Sequence, residues 1–272
     1  MKILIIITLF FIYLNPEVFG KFVNNKGDTI YNQTDEEGLK QGYWKKQYSN
    51  GSLKYKGGFI NDKPVGEFRR YFENGQLKAL MIFDKKSELV NTIIYYEDGR
   101  LAAEGQYIKN KKDSTWNYYS YYSQTLVCKE SYINGLKHGI SIKYYNNGNI
   151  SEELEWKENT KDGKWNQYFE SREIKMKSFY KSGLRDGYFK LFYKSGQIEI
   201  EGQYINNRKH DYWTYYDENG NTILKVDYEY GNPVNKEVLH QKEKEFFQQM
   251  EENLGKIQEP NEADFVPYLN SN

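Results

Sequence analysis

The sequence is short of the residues that hold many exported or metal-binding proteins together. Its 272 residues include one cysteine, Cys128, and three histidines. One cysteine cannot close an intramolecular disulfide, so stability must come from packing and backbone hydrogen bonds. Neither a cysteine pair nor a His-Glu-x-x-His spacing occurs. The sequence therefore predicts no metal site and no cofactor.

An excess of charge of either sign is also missing. Lys and Arg together number 38, and Asp and Glu together number 38, so the formal net charge is zero. A protein that binds nucleic acid needs a surplus of Lys and Arg to neutralise the phosphates. We therefore expect no nucleic-acid partner.

Long hydrophobic runs are absent except at the start of the chain. An apolar run extends from Ile3 to Leu14 and is ended by Asn15 and Pro16. It is shorter than the roughly 20 apolar residues that a membrane-spanning helix needs, and such a run after Lys2 is typical of a signal peptide. We predict a signal peptide over residues 1–20, and hence export to the periplasm, the cell envelope or the medium.

What the sequence does contain is a repeat of 24 residues. Eight unit starts follow one another at this step, with one residue inserted in the fourth unit: Gly42, Gly66, Val90, Ser114, Gly139, Gly163, Gly187 and Asp211. Two positions after the start, six of the eight units carry a large aromatic residue: Trp44, Phe68, Trp116, Trp165, Phe189 and Trp213. Self-similarity at a fixed period is the signature of a repeat architecture.

Each unit has the pattern of a β-hairpin. Asn50 and Gly51, like the matching residues of other units, tolerate the positive φ angles that a two-residue hairpin turn requires. In the strand that follows, an even number of positions separates Leu53 from Phe59, which predicts that both lie on one face. The fold class predicted is all-β: an elongated, single-layer antiparallel array of about eight hairpins with a C-terminal amphipathic helix.

The two ends of the chain fit the same frame. Gly27 lies one period before Gly51, so residues 21–41 are predicted to form an N-terminal half-repeat before the array at residues 42–234. Leu239, Phe246 and Met250 then recur at helical spacing. We expect a helix over residues 235–258 to cover the last strand, because an open strand edge invites pairing with other chains. Residues 259–272 are predicted to be a flexible tail.

The unit of Gly, aromatic, Tyr, Asn-Gly, aliphatic residue and aromatic resembles the MORN repeat in its bacterial variant, and in particular the YwqK family of antitoxins. The resemblance covers roughly residues 27–233. Ser123 replaces the turn glycine in the fourth unit, and Ser171 with Arg172 replaces Asn-Gly in the sixth, so these two hairpins should be the least regular. The resemblance implies a protein-binding or membrane-associating scaffold, and the antitoxin family implies immunity against a toxin.

The repeat also separates residues that build the fold from candidates for binding. The six aromatic residues two positions after the start are expected to form the repeat core, because residues that recur with the unit usually build it. A tyrosine row five positions after the start should lie on the opposite face and is the candidate partner-binding surface: Tyr71, Tyr95, Tyr119, Tyr144, Tyr168 and Tyr216. Large, amphipathic tyrosine side chains are common at binding sites.

No convergent set of nucleophile, base and acid emerges from the repeat, so we predict no enzyme activity and no catalytic residues. The favoured function is a non-catalytic scaffold or protein-binding module of the cell envelope, present as a monomer. Two alternatives stay open at this point: an immunity protein against a secreted or periplasmic toxin, and a module that associates with a membrane surface.

Overall fold

The structure, a computed structural model, describes residues 22, 27–84 and 87–253. The predicted signal peptide, the predicted tail and residues 254–258 of the predicted helix lie outside the described residues. The described chain consists mainly of antiparallel strands joined in hairpins, followed by one helix near its C-terminal end. The predicted class of antiparallel hairpin array is confirmed.

The chain divides into two compact units. The N-terminal unit comprises residues up to 174 together with 180–183, and the C-terminal unit comprises residues 175–179 together with 184 onward. The N-terminal unit contains β1 (Gln33–Thr34), β2 (Lys40–Gln47), β3 (Leu53–Ile60), β4 (Lys63–Tyr71), β5 (Leu77–Phe83), β6 (Leu89–Tyr95), β7 (Leu101–Ile108), β8 (Lys111–Tyr119), β9 (Leu126–Ile133), β10 (Leu136–Lys137), β11 (Gly139–Tyr144), β12 (Ile150–Lys157) and β13 (Thr160–Tyr168).

Strand β14 (Ile174–Lys181) contributes residues to both units. The C-terminal unit also contains β15 (Leu184–Arg185), β16 (Gly187–Phe192), β17 (Ile198–Ile205), β18 (Arg208–Tyr216), β19 (Thr222–Glu229), β20 (Asn232–Pro233) and the helix α1 (Lys236–Asn253). From β2 to β9 in the first unit, and from β16 to β19 in the second, each strand pairs antiparallel with the next strand along the chain.

The turn within each regular hairpin has three residues, so the prediction of a two-residue Asn-Gly turn is wrong. In the first unit the Gly51 N–H donates to the Tyr48 carbonyl (3.1 Å), and the Tyr48 N–H donates to the Ser52 carbonyl (2.8 Å). Gly51 has a φ of 84°, whereas Asn50 is not among the residues with positive φ. This is the pattern of a β-turn followed by a glycine in the left-handed region, which forms a bulge.

The sixth unit keeps this turn, contrary to the prediction that it would be irregular. Arg172 takes a φ of 84° in place of glycine, and its N–H donates to the Phe169 carbonyl (2.9 Å) as in the other units. The Arg172 Nε donates to the Asn149 side chain (2.9 Å), which ties this strained residue to the turn of the fifth unit. In the fourth unit the expected irregularity is present: Ser120 and Thr125 close a longer loop.

Two-residue turns do occur, but they join one hairpin to the next. Asn61 and Asp62 have φ angles of 48° and 62°, and Asn206 and Asn207 have 50° and 67°. Positive φ at both central residues matches the right-handed twist of the flanking strands, as the type I′ turn requires. Asn and Asp adopt this conformation more readily than other residues with a side chain.

A bulge after each three-residue turn corrects the prediction that Leu53 and Phe59 share a face. Lys46 lies opposite Tyr55, but the next residue, Gln47, lies opposite Leu53, so one residue is extra in β3. An extra residue reverses the alternation of side chains beyond it. The aliphatic residues therefore lie on the same face as the tyrosine row: Leu77 is opposite Tyr71, Leu101 is opposite Tyr95 and Ile150 is opposite Tyr144.

The first residue of most units also takes a left-handed conformation. Gly42 has a φ of 66° and Gly187 a φ of 106°, whereas Ser114 and Asp211 adopt 56° despite carrying a side chain. Val90, which is β-branched, is not among the residues with positive φ, and β5 and β6 pair without a register shift. Branching at Cβ makes the left-handed conformation costly. The third unit therefore starts without a left-handed residue and without a register shift between β5 and β6.

Successive hairpins are built as pairs, which the 24-residue period does not reveal. We define the hairpin pairs by their residues: 42–89, 90–138, 139–186 and 187–234. In three pairs a glycine in the first hairpin lies under an aromatic ring of the second: Gly57 under Phe68, Gly105 under Trp116 and Gly202 under Trp213. A Cβ at these glycines would approach ring atoms to 2.0–2.4 Å, so only glycine leaves room for the ring. In the third pair Leu154 takes this place, opposite Trp165.

The last strand edge is partly satisfied by the segment that follows it. Asn232–Pro233 pair with the end of β19, and the Val234 N–H donates to the Asp227 carbonyl (2.8 Å). The Asn235 side chain accepts from the Asp227 N–H (2.8 Å) and donates to the Lys225 carbonyl (3.3 Å). Helix α1 then runs beside β19. The side chains of Phe246 and Met250 lie outside the part of the chain that the structure describes.

Candidate functional site

The aromatic row predicted as the repeat core defines one face of each unit, the tryptophan face. Trp116 and Trp213 are almost fully buried, with 0% and 2% of their surface exposed. Their indole N–H groups donate to the Gln106 and Gln203 carbonyls, both at 3.0 Å. The other four members of the row are half-buried: Trp44, Phe68, Trp165 and Phe189. Rings that pack over a neighbouring strand bury apolar area without a second layer.

A column of cations crosses this face and was missed by the sequence analysis. It stands two positions before the unit start: Lys40, Lys112, Lys137, Lys161, Arg185 and Lys209. Each cation lies over an aromatic ring, for example Lys112 Nζ at 4.6 Å from the Trp116 centroid and Lys209 Nζ at 4.3 Å from that of Trp213. Stepping by 24 residues from Lys40 would have found this column. Because these cations already lie over aromatic rings of the chain, we infer that they stabilise the fold and do not bind a ligand.

The tyrosine row, which the sequence predicts as the candidate partner-binding surface, is half-buried at all six positions. In three even-numbered units the tyrosine hydroxyl donates to a glutamate of the preceding unit at 2.7 Å: Tyr119 to Glu104, Tyr168 to Glu153 and Tyr216 to Glu201. Burial and the Glu153 carboxylate raise the pKa of Tyr168 to about 12. These hydroxyls are engaged within the fold, which leaves less of the row available to a partner.

Two tyrosines outside this row are more exposed than its members. Tyr188 and Tyr212, one position after the unit start, are 44% and 56% exposed. Lys225 Nζ lies 4.2 Å from the centroid of the Tyr212 ring.

A polar cluster interrupts the tryptophan face in the second hairpin pair. The carboxylate of Glu130 accepts hydrogen bonds from Tyr132 and from Lys137. Lys112 Nζ donates to the Tyr118 hydroxyl at 2.8 Å. Burial acts to raise the pKa of Glu130, but the hydrogen bonds from Lys137 and Tyr132 outweigh burial and hold the pKa below its usual value.

This cluster has no nucleophile poised for chemistry. Burial raises the pKa of the Cys128 thiol, which disfavours the reactive thiolate. Burial also raises the pKa of the Tyr118 hydroxyl, which lies opposite Cys128.

The loop at residues 120–125 stands where the sequence departs from its own period. Tyr121 and Tyr122 are 41% and 88% exposed. The Ser120 hydroxyl accepts from the N–H groups of Tyr122 (3.2 Å) and Ser123 (3.3 Å). The Gln124 side chain donates to the Ser120 carbonyl at 2.9 Å. The loop is therefore held by its own hydrogen bonds, with two tyrosine rings presented outward.

The hairpin turn of the third unit fixes the first of these rings. The Arg100 guanidinium lies 4.0 Å from the centroid of the Tyr121 ring, and its Nη1 donates to the Tyr121 carbonyl at 2.6 Å. Tyr96 meets Tyr121 edge to face with centroids 5.0 Å apart. Asp98 forms an ion pair with Arg100, and hydrogen bonds from Arg100 lower the pKa of Asp98 to about 2. Tyr96, Asp98 and Tyr121, together with Glu97, line a shallow depression of about 550 Å³.

Among residues 22, 27–84 and 87–253, no three His, Cys, Asp or Glu side chains are grouped so that they could hold a metal ion. In that part of the chain no helix has the length and apolar character needed to cross a membrane.

Comparison with known proteins gives one family. A search of curated proteins finds no significant match to the chain. The model of the MORN repeat variant matches three segments, residues 64–85, 137–158 and 185–206. Each segment spans one hairpin of the structure, namely β4 with β5, β11 with β12 and β16 with β17. The chain is therefore a repeat protein, and these three of its hairpins are similar to the MORN repeat variant.

Proposed function

We propose that the chain is a non-catalytic binding module that holds a protein partner at the loop of residues 120–125. The observation that carries this proposal is the outward presentation of Tyr121 and Tyr122 at the single insertion in the repeat. Residues that recur with the unit are explained by packing. The Tyr122 ring, which stands in the inserted loop and is 88% exposed, has no such explanation.

The composition of this surface suits a protein interface. Tyrosine and arginine are enriched among the residues that dominate binding energies, and a loop that is already ordered loses less entropy on binding. The carboxylate of Glu97, which lines the same depression as Tyr121, complements a lysine or arginine of the partner. The predicted signal peptide places such a partner in the cell envelope or outside the cell, as in the scaffold function expected from the sequence.

A photo-crosslinking experiment tests the proposal. Benzoylphenylalanine replaces Tyr122 in the full chain, expressed in its native cell, and a matched variant carries it at Tyr212, which is also exposed and aromatic. We expect one discrete crosslinked protein from the Tyr122 position and none from the Tyr212 position. The double variant Tyr121→Ser/Tyr122→Ser should reduce co-purification of that protein at least tenfold while its thermal melt stays unchanged.

The identity of the captured protein separates scaffold from immunity function. A toxin domain whose activity falls on adding the chain would make this an immunity protein, and a structural envelope protein would make it a scaffold. Equal crosslinking from both positions, or unchanged co-purification by the double variant, would place binding elsewhere and contradict the proposal.

A further inference from the structure

A groove on the tryptophan face lies beside the third unit, which lacks an aromatic ring two positions after its start. Thr92 in the third unit, like Ser141 in the fifth, stands where the other six units have Trp or Phe. Beside it lies a groove of about 320 Å³ with Met81, Val90, Thr92 and Ile94 among its lining residues. Arg70 and Lys78 also line the groove. This site is separate from the loop of residues 120–125.

The Thr92 hydroxyl lacks the partner that a buried polar group requires. Thr92 is 3% exposed, and within the described residues its Oγ1 has no hydrogen-bond partner. A buried hydroxyl that is left unpaired destabilises the folded state, so native proteins almost always pair such groups. The exception here lines an open apolar groove.

The fifth unit shows how the same position is satisfied elsewhere in this chain. Ser141 occupies the place of Thr92 in that unit, and it too is buried. The Trp156 Nε1 donates to the Ser141 Oγ at 2.8 Å, and Ser141 donates in turn to the Leu154 carbonyl at 3.3 Å. In the third unit Tyr107 stands in the position of Trp156, but its ring packs edge to face against Trp116 (centroids 4.9 Å apart).

We propose that a tryptophan side chain from a protein partner completes the aromatic row by entering this groove and donating its indole N–H to Thr92 Oγ1. The contact reproduces, between two chains, the contact that Trp156 makes with Ser141 within this chain. An indole suits the site because it combines a large apolar ring with one donor. In the complex the Thr92 hydroxyl, which is unpaired within the described residues, would accept the hydrogen bond of the indole N–H.

The charge of the groove indicates which residues of the partner should flank that tryptophan. No carboxylate is among the residues that line the groove, whereas Arg70 and Lys78 contribute two cations. Lys78 Nζ lies 5.1 Å from the Phe72 ring centroid. The ligand is therefore a segment with tryptophan next to Asp or Glu, in an extended conformation that an open sheet face accommodates.

A peptide library tests this inference without knowledge of the natural partner. Random dodecamers displayed on phage are selected on the immobilised full chain, after removal of those that bind the Thr92→Trp variant, in which the chain fills its own groove. We expect selected peptides to carry tryptophan beside Asp or Glu. Calorimetry with the best synthetic peptide should show at least a tenfold loss of affinity for Thr92→Trp and several-fold losses for Thr92→Val and for Arg70→Glu/Lys78→Glu.

Two controls make the result decisive. The loop variant Tyr121→Ser/Tyr122→Ser should bind the peptide as the parent does, so failure of this inference is distinguishable from failure of the proposed function. Circular dichroism establishes whether Thr92→Trp is folded. If it is not, the Thr92→Val and Arg70→Glu/Lys78→Glu variants carry the test. Selection of peptides without tryptophan, or equal affinity for the parent and these variants, would overturn the proposal.

Discussion

The second and fourth hairpin pairs, residues 90–138 and 187–234, have the same aromatic core but different neighbours around it. In both, a tryptophan ring lies over a glycine, Gly105 in one and Gly202 in the other. In both, a lysine hydrogen-bonds a tyrosine hydroxyl: Lys112 to Tyr118 at 2.8 Å and Lys209 to Tyr215 at 2.9 Å.

The difference between the pairs lies opposite the tryptophan. Glu130 lies opposite Trp116, whereas Val226, which is fully buried, lies opposite Trp213. Lys137 lies opposite Tyr132 and holds the Glu130 carboxylate, but Pro233 occupies the corresponding position opposite Tyr228. The second pair also contains the inserted loop and Thr92. Geometry that both pairs share is therefore structural, and the features of the second pair alone are the candidates for function.

Exchanging Glu130 and Val226, the residues that lie opposite the two tryptophans, should have the largest effect on the free energy of unfolding. Val226→Glu buries a carboxylate where the lysine is replaced by proline, and we expect a loss of about 3–5 kcal/mol in the free energy of unfolding. Glu130→Val should cost only about 1–2 kcal/mol, because Lys137 keeps its contact with Trp156 at 5.0 Å. Urea unfolding with hydrogen exchange over each pair measures both. Equal losses would mean that Lys137 does not compensate the charge of Glu130.

Alanine at the glycines under the rings should test the shared geometry. A Cβ at Gly105 or Gly202 would lie 2.3 or 2.4 Å from ring atoms of Trp116 or Trp213. Overpacking of this kind should lower the free energy of unfolding by about 1–3 kcal/mol in each variant. Urea denaturation should give similar losses for Gly105→Ala and Gly202→Ala. A loss in only one would show that the two tryptophans are held differently.

The stability of the second hairpin pair should depend on pH through Glu130, which the fourth pair replaces with Val226. Its pKa in the folded chain lies below the usual value, so its contribution to stability is full above pH about 4.5 and is lost as the pH falls through the folded pKa. We expect Glu130→Gln to be less stable than the parent at pH 7 and to lose less stability than the parent between pH 5 and pH 3. Unfolding at a series of pH values measures this. Parallel curves would remove any role for the Glu130 charge.

The smallest effect expected is the loss of single hydroxyls. Thr92→Val removes a buried hydroxyl that has no partner and should raise the free energy of unfolding by about 1 kcal/mol. Ser141→Val, its matched control, removes the acceptor of the Trp156 indole and should lower the free energy by about 1–2 kcal/mol. Thermal melts of the two variants should therefore shift in opposite directions. A shift in the same direction would show that Thr92 is paired in solution.

The period, the hairpins and the positions of their turns were determined by the sequence alone. Glycine, asparagine and large aromatic residues recur at fixed steps, and each reports a local conformational preference that needs no distant neighbour. The cation column starting at Lys40 was equally accessible, since it follows the same step. Local preferences did not determine the three-residue turn around Gly51, because Asn-Gly suits two turn types.

Only the tertiary structure decided which residues meet across strands. One extra residue after each turn moved the aliphatic residues beside the tyrosines, because side chains alternate and a bulge reverses the alternation. The pairing of hairpins depends on a ring from one strand lying over Gly105 on another, which no single-strand pattern encodes. The different fates of Thr92 and Ser141 likewise follow from a neighbour, Trp156, whose reach depends on the packed sheet.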